Sequence, residues 1–266
     1  MRARIVVGLI GAPLVFGLIY WGGLPFYLVV AAIMVIGIHE YCHIASHFGW
    51  HLREWLLTPL CLLILLTTYN PSWGLTEFAI SFSLIISIGH ALWQYEFEEK
   101  SSVVGRWMAF VAALVLFGWM GGYLIRLRLL DGDGQWTMGV LAMIWSADVW
   151  AYFIGRKWGK RPLSPRLSPK KSIEGYLAGI VLGPTLVLLA MPVFYPDLPI
   201  IHLVWMTFVL TIIMPAGDLF FSLLKREAGV KDAGKILPGH GGILDRLDTV
   251  LWGATIGYYL LIFFVI

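Results

Sequence analysis

The chain has 266 residues, 59% hydrophobic, 15% aromatic and only 13% charged, with a formal net charge of +3 and a mean hydropathy of +0.81. A soluble domain carries about 25% charged residues, so a water-soluble globule is excluded and an all-α, polytopic membrane protein is expected. The net charge is small enough that the position of the charges matters more than their sum, and no nucleic-acid partner is expected.

Taken in order, apolar segments fall at 5–21, 24–47, 56–69, 75–93, 104–125, 136–155, 175–194, 199–224 and 249–266, most of them near the roughly 20 residues a bilayer requires. No small-x-small cleavage site follows the first run, which ends in Tyr20-Trp21-Gly22-Gly23-Leu24-Pro25, so it is read as a spanning helix rather than a signal peptide. Nine spans are expected, in one membrane-embedded domain over residues 1–266: N-terminal helices to 130, then helices bearing the charged loops from 136. Cys42 and Cys61 both lie among apolar residues, so neither a disulfide framework nor a cysteine zinc site is indicated.

The second segment ends in His39-Glu40-Tyr41-Cys42-His43, which fits the H-E-x-x-H pattern of zinc metalloproteases. Leu130-Asp131-Gly132 resembles the Asp-bearing element of intramembrane proteases. The expected topology puts the two on opposite membrane faces, where they cannot complete one zinc site. His47 and His51 continue the i+4 series, so a His-lined structural or interfacial face is the favoured reading, with Glu40 free to contribute to a cavity.

Asp148 lies inside the sixth apolar segment. An acid at membrane depth faces a cavity or a partner, which makes it a candidate wall residue of a site. The following stretch, Arg156 to Glu174, holds seven basic residues, one acid and three prolines. It is expected to be a stiff, non-helical loop that attracts phosphates and anionic headgroups.

The stretch Ser222 to Asp248 concentrates five Lys/Arg, four Asp/Glu, His240 and five Gly in 27 positions. Just upstream of it and within it, Asp218, Ser222 and Lys225 recur at i, i+4 and i+7, one face of a helix. Asp245 and Asp248 stand three apart where an apolar run begins. Between them, Pro238-Gly239-His240-Gly241-Gly242 offers backbone N–H groups to phosphate oxygens. Carboxylates, cations and a glycine loop together suggest a metal-bridged polyphosphate, because Mg²⁺ usually takes one or two carboxylates plus substrate phosphates.

If the N-terminus is cytoplasmic, that side collects 17 of the 19 basic residues, leaving only Arg126 and Arg128 outside. The positive-inside bias therefore puts the charged loops in the cytoplasm and favours an odd number of spans.

Ser222, Lys225-Arg226, Lys231-Asp232, His240-Gly241-Gly242, Asp245-Arg246 and Asp248 together closely resemble the signature of the phosphatidate cytidylyltransferase (CDP-diacylglycerol synthase) family. Ser168-Pro169-Lys170-Lys171-Ser172-x-Glu174-Gly175 is similar to its second recurring element. Ala216 stands where the family pattern has Gln before Gly217-Asp218. The resemblance implies transfer of CMP from CTP to phosphatidate, with release of pyrophosphate, by a multi-pass enzyme of the cell membrane whose site faces the cytoplasm.

On that reading Mg²⁺ or Mn²⁺, with room for a second cation, is held by Asp218, Asp245 and Asp248, with Asp232 a weaker candidate. Lys170, Lys171, Lys225 and Arg226 bind the triphosphate or the phosphatidate phosphate, and Arg246 does the same or braces Asp245. His240 organises the loop or contacts phosphate, proton traffic being the alternative. Ser168, Glu174, Ser222, Lys231, Gly241, Gly242 and Asp148 complete the expected substrate-binding set.

Three other readings are weighed: a CTP-dependent lipid kinase of the polyprenol type, the H-E-x-x-H protease, and a transporter without chemistry. The unbroken Lys-Asp to Asp-Arg-x-x-Asp run argues against the first. The acids cluster at one membrane face and no repeat symmetry is visible, which argues against the last. Gly118, Gly121 and Gly122 permit close helix contact, either within the chain or in a homodimer.

Overall fold

The computed structural model describes residues 2–97, 102–185, 187–189, 200–234 and 241–266. His240, with Pro238 and Gly239, lies outside the described residues, as does the end of the seventh apolar segment. Among the described residues, ten helices and one hairpin build the fold: α1 (Arg2–Trp21), α2 (Gly23–Ser46), α3 (Glu54–Tyr69), α4 (Thr76–Phe97), α5 (Val103–Arg128), α6 (Gln135–Trp158), β1 (Pro162–Ser164), β2 (Ser168–Ser172), α7 (Ile173–Leu182), α8 (Ile200–Ile213), α9 (Pro215–Glu227) and α10 (Leu244–Phe264).

Over its described residues, each apolar segment of the sequence coincides with helix. Among the described residues, six helices are long and apolar enough to cross a membrane: Gly23–Ser46, Thr76–Phe97, Val103–Arg128, Gln135–Trp158, Ile200–Glu227 and Leu244–Phe264. Glu54–Tyr69 and Ile173–Leu189 are shorter apolar helices. The molecule is thus an all-α integral membrane protein. Within the eighth segment, Pro215 supplies no backbone N–H and divides the run into α8 and α9.

Small residues decide which helices touch. Along α7, Gly175 and Gly179 lie against the α6 backbone, where an added Cβ would sit 2.6 Å from the Ala151 carbonyl oxygen and 3.0 Å from that of Ala147. Such close approach drives helix association where lipid removes the hydrophobic incentive. Gly118, Gly121 and Gly122 of α5 are used in the same way, against Ile64, Met34 and Thr68 of this same chain. The turn at Gly118 falls in a π-helical stretch, Leu114–Met120, whose widened backbone packs on α3.

At one end of the bundle Arg128 is buried and gathers four carbonyl oxygens, of Ile19, Tyr20, Asp131 and Gly132. It thereby satisfies acceptors that the C-terminus of α1 leaves without intrahelical partners. Gly22, at φ +65, makes room for the guanidinium. The basic loops gather at the other end, where the hairpin, the end of α9 and the start of α10 meet.

Candidate active site

The loop between α6 and α7 folds back as the hairpin β1–β2, pairing Pro162 with Ser172 and Ser164 with Ser168. Of the stretch expected to be non-helical, Arg156 to Trp158 continue α6 and Ile173 and Glu174 open α7, while the part between is an antiparallel ribbon. Ser172 caps α7 by accepting the Gly175 N–H at 3.1 Å. Glu174 closes the base of the loop, accepting from Lys160 N at 3.0 Å, Arg161 N at 3.2 Å and Arg161 Nε at 3.1 Å. Those bonds, first the one from Lys160 N, hold its carboxyl down at about 2, against a usual 4.5. Glu174 therefore organises the hairpin. On the far side, the Arg226 Nε donates to the Leu167 carbonyl at 3.3 Å and ties the hairpin to α9.

So held, the hairpin delivers Lys171 to Asp218, Nζ to Oδ2 at 2.5 Å. Asp218 is set by its neighbour Gly217, where a Cβ would lie 2.5 Å from the Asp248 carbonyl oxygen. α9 and α10 thus press together at this level, and the carboxylates of Asp218 and Asp248 face each other. Asp148 looks in from α6, close enough to feel Lys171, Asp218 and Arg246. One turn of α10 away, Asp245 is fully engaged. Its Oδ1 accepts from Lys225 Nζ at 2.5 Å, and its Oδ2 accepts from Ala233 N and Gly242 N, both at 3.0 Å.

These groups share one cavity of about 1180 Å³. Asp148, Ser168, Lys170, Lys171, Asp218, Lys225, Asp232, Asp245, Arg246 and Asp248 form its polar wall. The opposite limb is apolar, built by residues such as Leu18, Phe26, Val30, Ile33, Leu141 and Trp145 from α1, α2 and α6. Lys231 is exposed and Ser222 half-buried, and neither is part of the lining. Arg226 and Glu174 brace the hairpin. Gly241, at φ +81, packs beneath Asp245, and the Gly242 N–H expected to face phosphate is bonded to that carboxylate.

The donor set has a chemical preference. The described acids of the polar wall are aspartates, and hard oxygen ligands suit Mg²⁺ or Mn²⁺. Two unit charges of like sign 4 Å apart repel by roughly 4 kcal/mol at an effective dielectric of about 20, so the Asp218 and Asp248 pair favours an added cation. Among the described residues no group of three or more His, Cys, Asp or Glu is arranged to hold an ion. One or two carboxylates completed by substrate phosphates is the arrangement Mg²⁺ ordinarily accepts.

The H-E-x-x-H stretch has another use. His39 and His43 are exposed, His39 pairing with Glu54 at 3.1 Å, whereas Glu40 points the other way and is 3% exposed. Successive helical residues are rotated by about 100°, which sends the Glu inward and both His outward. Its Oε2 accepts the Leu244 N–H at 2.8 Å. That contact spans more than two hundred positions, and only the inward face of α2 could have hinted at it.

The cytidylyltransferase family model matches residues 2–264, nearly the full chain. This chain belongs to the cytidylyltransferase family. It is 33% identical to the phosphatidate cytidylyltransferase of Bacillus subtilis (strain 168), over 99% of this chain and 98% of that protein. It is 30% identical to the phosphatidate cytidylyltransferase of Synechocystis, over 97% and 96% of the two chains. Membership of the family covers the N-terminal helices as well as the charged loops, so the H-E-x-x-H stretch belongs to the same unit and the protease and kinase readings are not favoured.

Proposed function

We propose that this protein is a phosphatidate cytidylyltransferase, converting CTP and phosphatidate to CDP-diacylglycerol and pyrophosphate. A phosphate oxygen of phosphatidate attacks the α-phosphorus of CTP. The bond from that phosphorus to the α,β-bridging oxygen breaks, and pyrophosphate leaves with the electron pair. The nucleophile is already anionic, so positioning and charge neutralisation dominate over base catalysis.

The observation that carries this reading is the cavity itself: a wall of aspartates and lysines continuous with an apolar limb. A water-soluble triphosphate suits the first and a diacylglycerol tail the second. Lys171 and Lys225 are the amines best placed to exchange their carboxylate partners for phosphate oxygens, with Lys170 and Arg246 beside them. Asp218 and Asp248 would hold Mg²⁺ or Mn²⁺, and Asp245 is the candidate for a second cation. When bound, the cation supplies charge neutralisation at the phosphates. Nine spans with a cytoplasmic N-terminus fit the skew of basic residues and would set the polar wall where nucleotide is available.

The test uses purified protein in phosphatidate-containing bilayers with CTP labelled at either the α or the γ phosphate. Label from the α position should enter lipid and label from the γ position should leave as pyrophosphate. γ label in lipid would mean phosphoryl transfer, and no lipid label from either position would remove the proposal.

A further inference from the structure

The inward face of α2 carries a second carboxylate that reaches the described ends of the signature loop, beside the positions that Asp245 binds. Glu40 is 3% exposed. Its Oε2 takes the N–H of Leu244, the first residue of α10, and among the described residues its Oε1 has no hydrogen-bond partner. Two glycines of the loop close on it. A Cβ at Gly234 would sit 2.1 Å from Oε1, and one at Gly242 would sit 2.4 Å from Oε2; at both positions the three nearest atoms all belong to Glu40.

The same two places are held by Asp245 as well. Asp245 Oδ2 takes the N–H of Ala233 and of Gly242. The outgoing strand of the loop at residues 233–234 and the returning strand at 242 are thus clamped between two carboxylates. One comes from a helix near the N-terminus and the other from the site. A carboxylate at a helix N-terminus meets both unsatisfied N–H groups and the positive end of the dipole. Leu244 is adjacent to Asp245, so whatever fixes Leu244 fixes the direction in which Asp245 and Asp248 enter the cavity.

We infer that Glu40 is a positioning residue for the transfer reaction: it anchors the start of α10 and the glycine loop so that Asp245 and Asp248 are presented to substrate. This rests on the function proposed above. The role needs an acceptor of the right length at Leu244 N, and it requires that positions 234 and 242 lack side chains because Glu40 fills the space.

The experiment is a set of variants assayed beside the unaltered protein for CDP-diacylglycerol formation, with hydrogen exchange followed over residues 241–248. Glu40→Ala should lower kcat by about 100-fold, the cost of a displacement near 1 Å in a reacting geometry, with KM changed less than about threefold. It should also deprotect the Leu244 amide. Glu40→Gln keeps length and an acceptor and should stay within about threefold of the unaltered kcat, with Leu244 protected. Gly234→Ala should be damaging alone and add nothing further in the Glu40→Ala background, the non-additivity expected of groups competing for one space.

Wild-type kcat in Glu40→Ala, or a lost kcat with Leu244 still protected, overturns the inference, as does additive damage in the double variant. If Glu40→Ala does not fold, Glu40→Asp, one methylene too short to reach Leu244, decides by the same two readouts. Failure of the unaltered protein to make CDP-diacylglycerol would instead count against the proposed function, while the Leu244 exchange and the Gly234 coupling would still report on the anchor.

Discussion

Gly217 rests on the carbonyl oxygen of Asp248, a point of close approach between α9 and α10. A side chain at Gly217 would meet Asp248 O at 2.5 Å and the Trp252 ring at 2.5 Å. Gly217→Ala is therefore expected to force the two helices apart and separate Asp218 from Asp248. Overpacking of this kind costs about 1–3 kcal/mol, whereas a misplaced reacting group can cost about 100-fold in rate. The expected result is a modest fall in Tm with a large fall in kcat, measured by thermal unfolding and by α-label transfer.

Lys225 and Asp245 form a buried pair, with side chains 13% and 8% exposed. Removing one partner of such a pair costs about 3–5 kcal/mol because the other is left uncompensated. Lys225→Met should destabilise the protein more than the double replacement Lys225→Met with Asp245→Asn, and both should abolish transfer. Denaturation midpoints of the two variants, compared in one detergent, check the order.

Lys171 and Asp218 are more open, at 38% and 20%. Solvent screening leaves such a pair little to contribute to stability. Lys171→Ala should keep Tm within a few degrees while activity falls by at least about tenfold, through loss of a phosphate-binding amine. Unfolding and transfer assays on the same preparation would separate the two effects.

Glu174 has a carboxyl held well below its usual range, chiefly by the Lys160 N–H. A depressed value means that the clamp on the hairpin is complete above the usual carboxylate pKa and is lost only as the pH falls toward about 2. The side-chain carboxyl resonance of ¹³C-labelled Glu174 should accordingly show no titration between pH 7 and 5. Glu174→Ala should raise KM by freeing Lys170 and Lys171, with kcat less affected.

His39 and His43 lie on the outward face of α2, away from the cavity. Replacing both with Ala should leave cytidylyl transfer within about threefold of the unaltered rate, since neither touches the proposed reaction. The same assay used for Glu40→Ala gives the comparison, and it places the functional part of the H-E-x-x-H stretch in its buried carboxylate.

Much of the architecture was readable in the residues, for a physical reason. A bilayer demands long apolar runs, and those runs at 24–47, 104–125 and 136–155 reappear as α2, α5 and α6 within a few residues. The charged stretches were equally conspicuous against that background, so Asp148, Lys171, Asp218, Asp245 and Asp248 could be picked out and do share one cavity. What sequence could not supply was orientation and distance. A one-residue step around α2 separates the outward His39 from the inward Glu40. The Gly242 N–H, which composition suggested for phosphate, is occupied by Asp245. The break of the eighth segment at Pro215 was visible only as a proline within an apolar run.

Five aspartates of the described cavity lining, Asp148, Asp218, Asp232, Asp245 and Asp248, are matched by five cations, Arg156, Lys170, Lys171, Lys225 and Arg246. By formal charge these described groups balance, with Lys171 and Lys225 paired to internal carboxylates. A bare anion gains little long-range pull from a balanced wall; it must trade places with a carboxylate or carry compensating positive charge. Phosphatidate, itself an anionic lipid, enters on those terms by taking a lysine from its aspartate, so ten charged side chains stand at a lipid boundary with little long-range pull on acidic lipid in general.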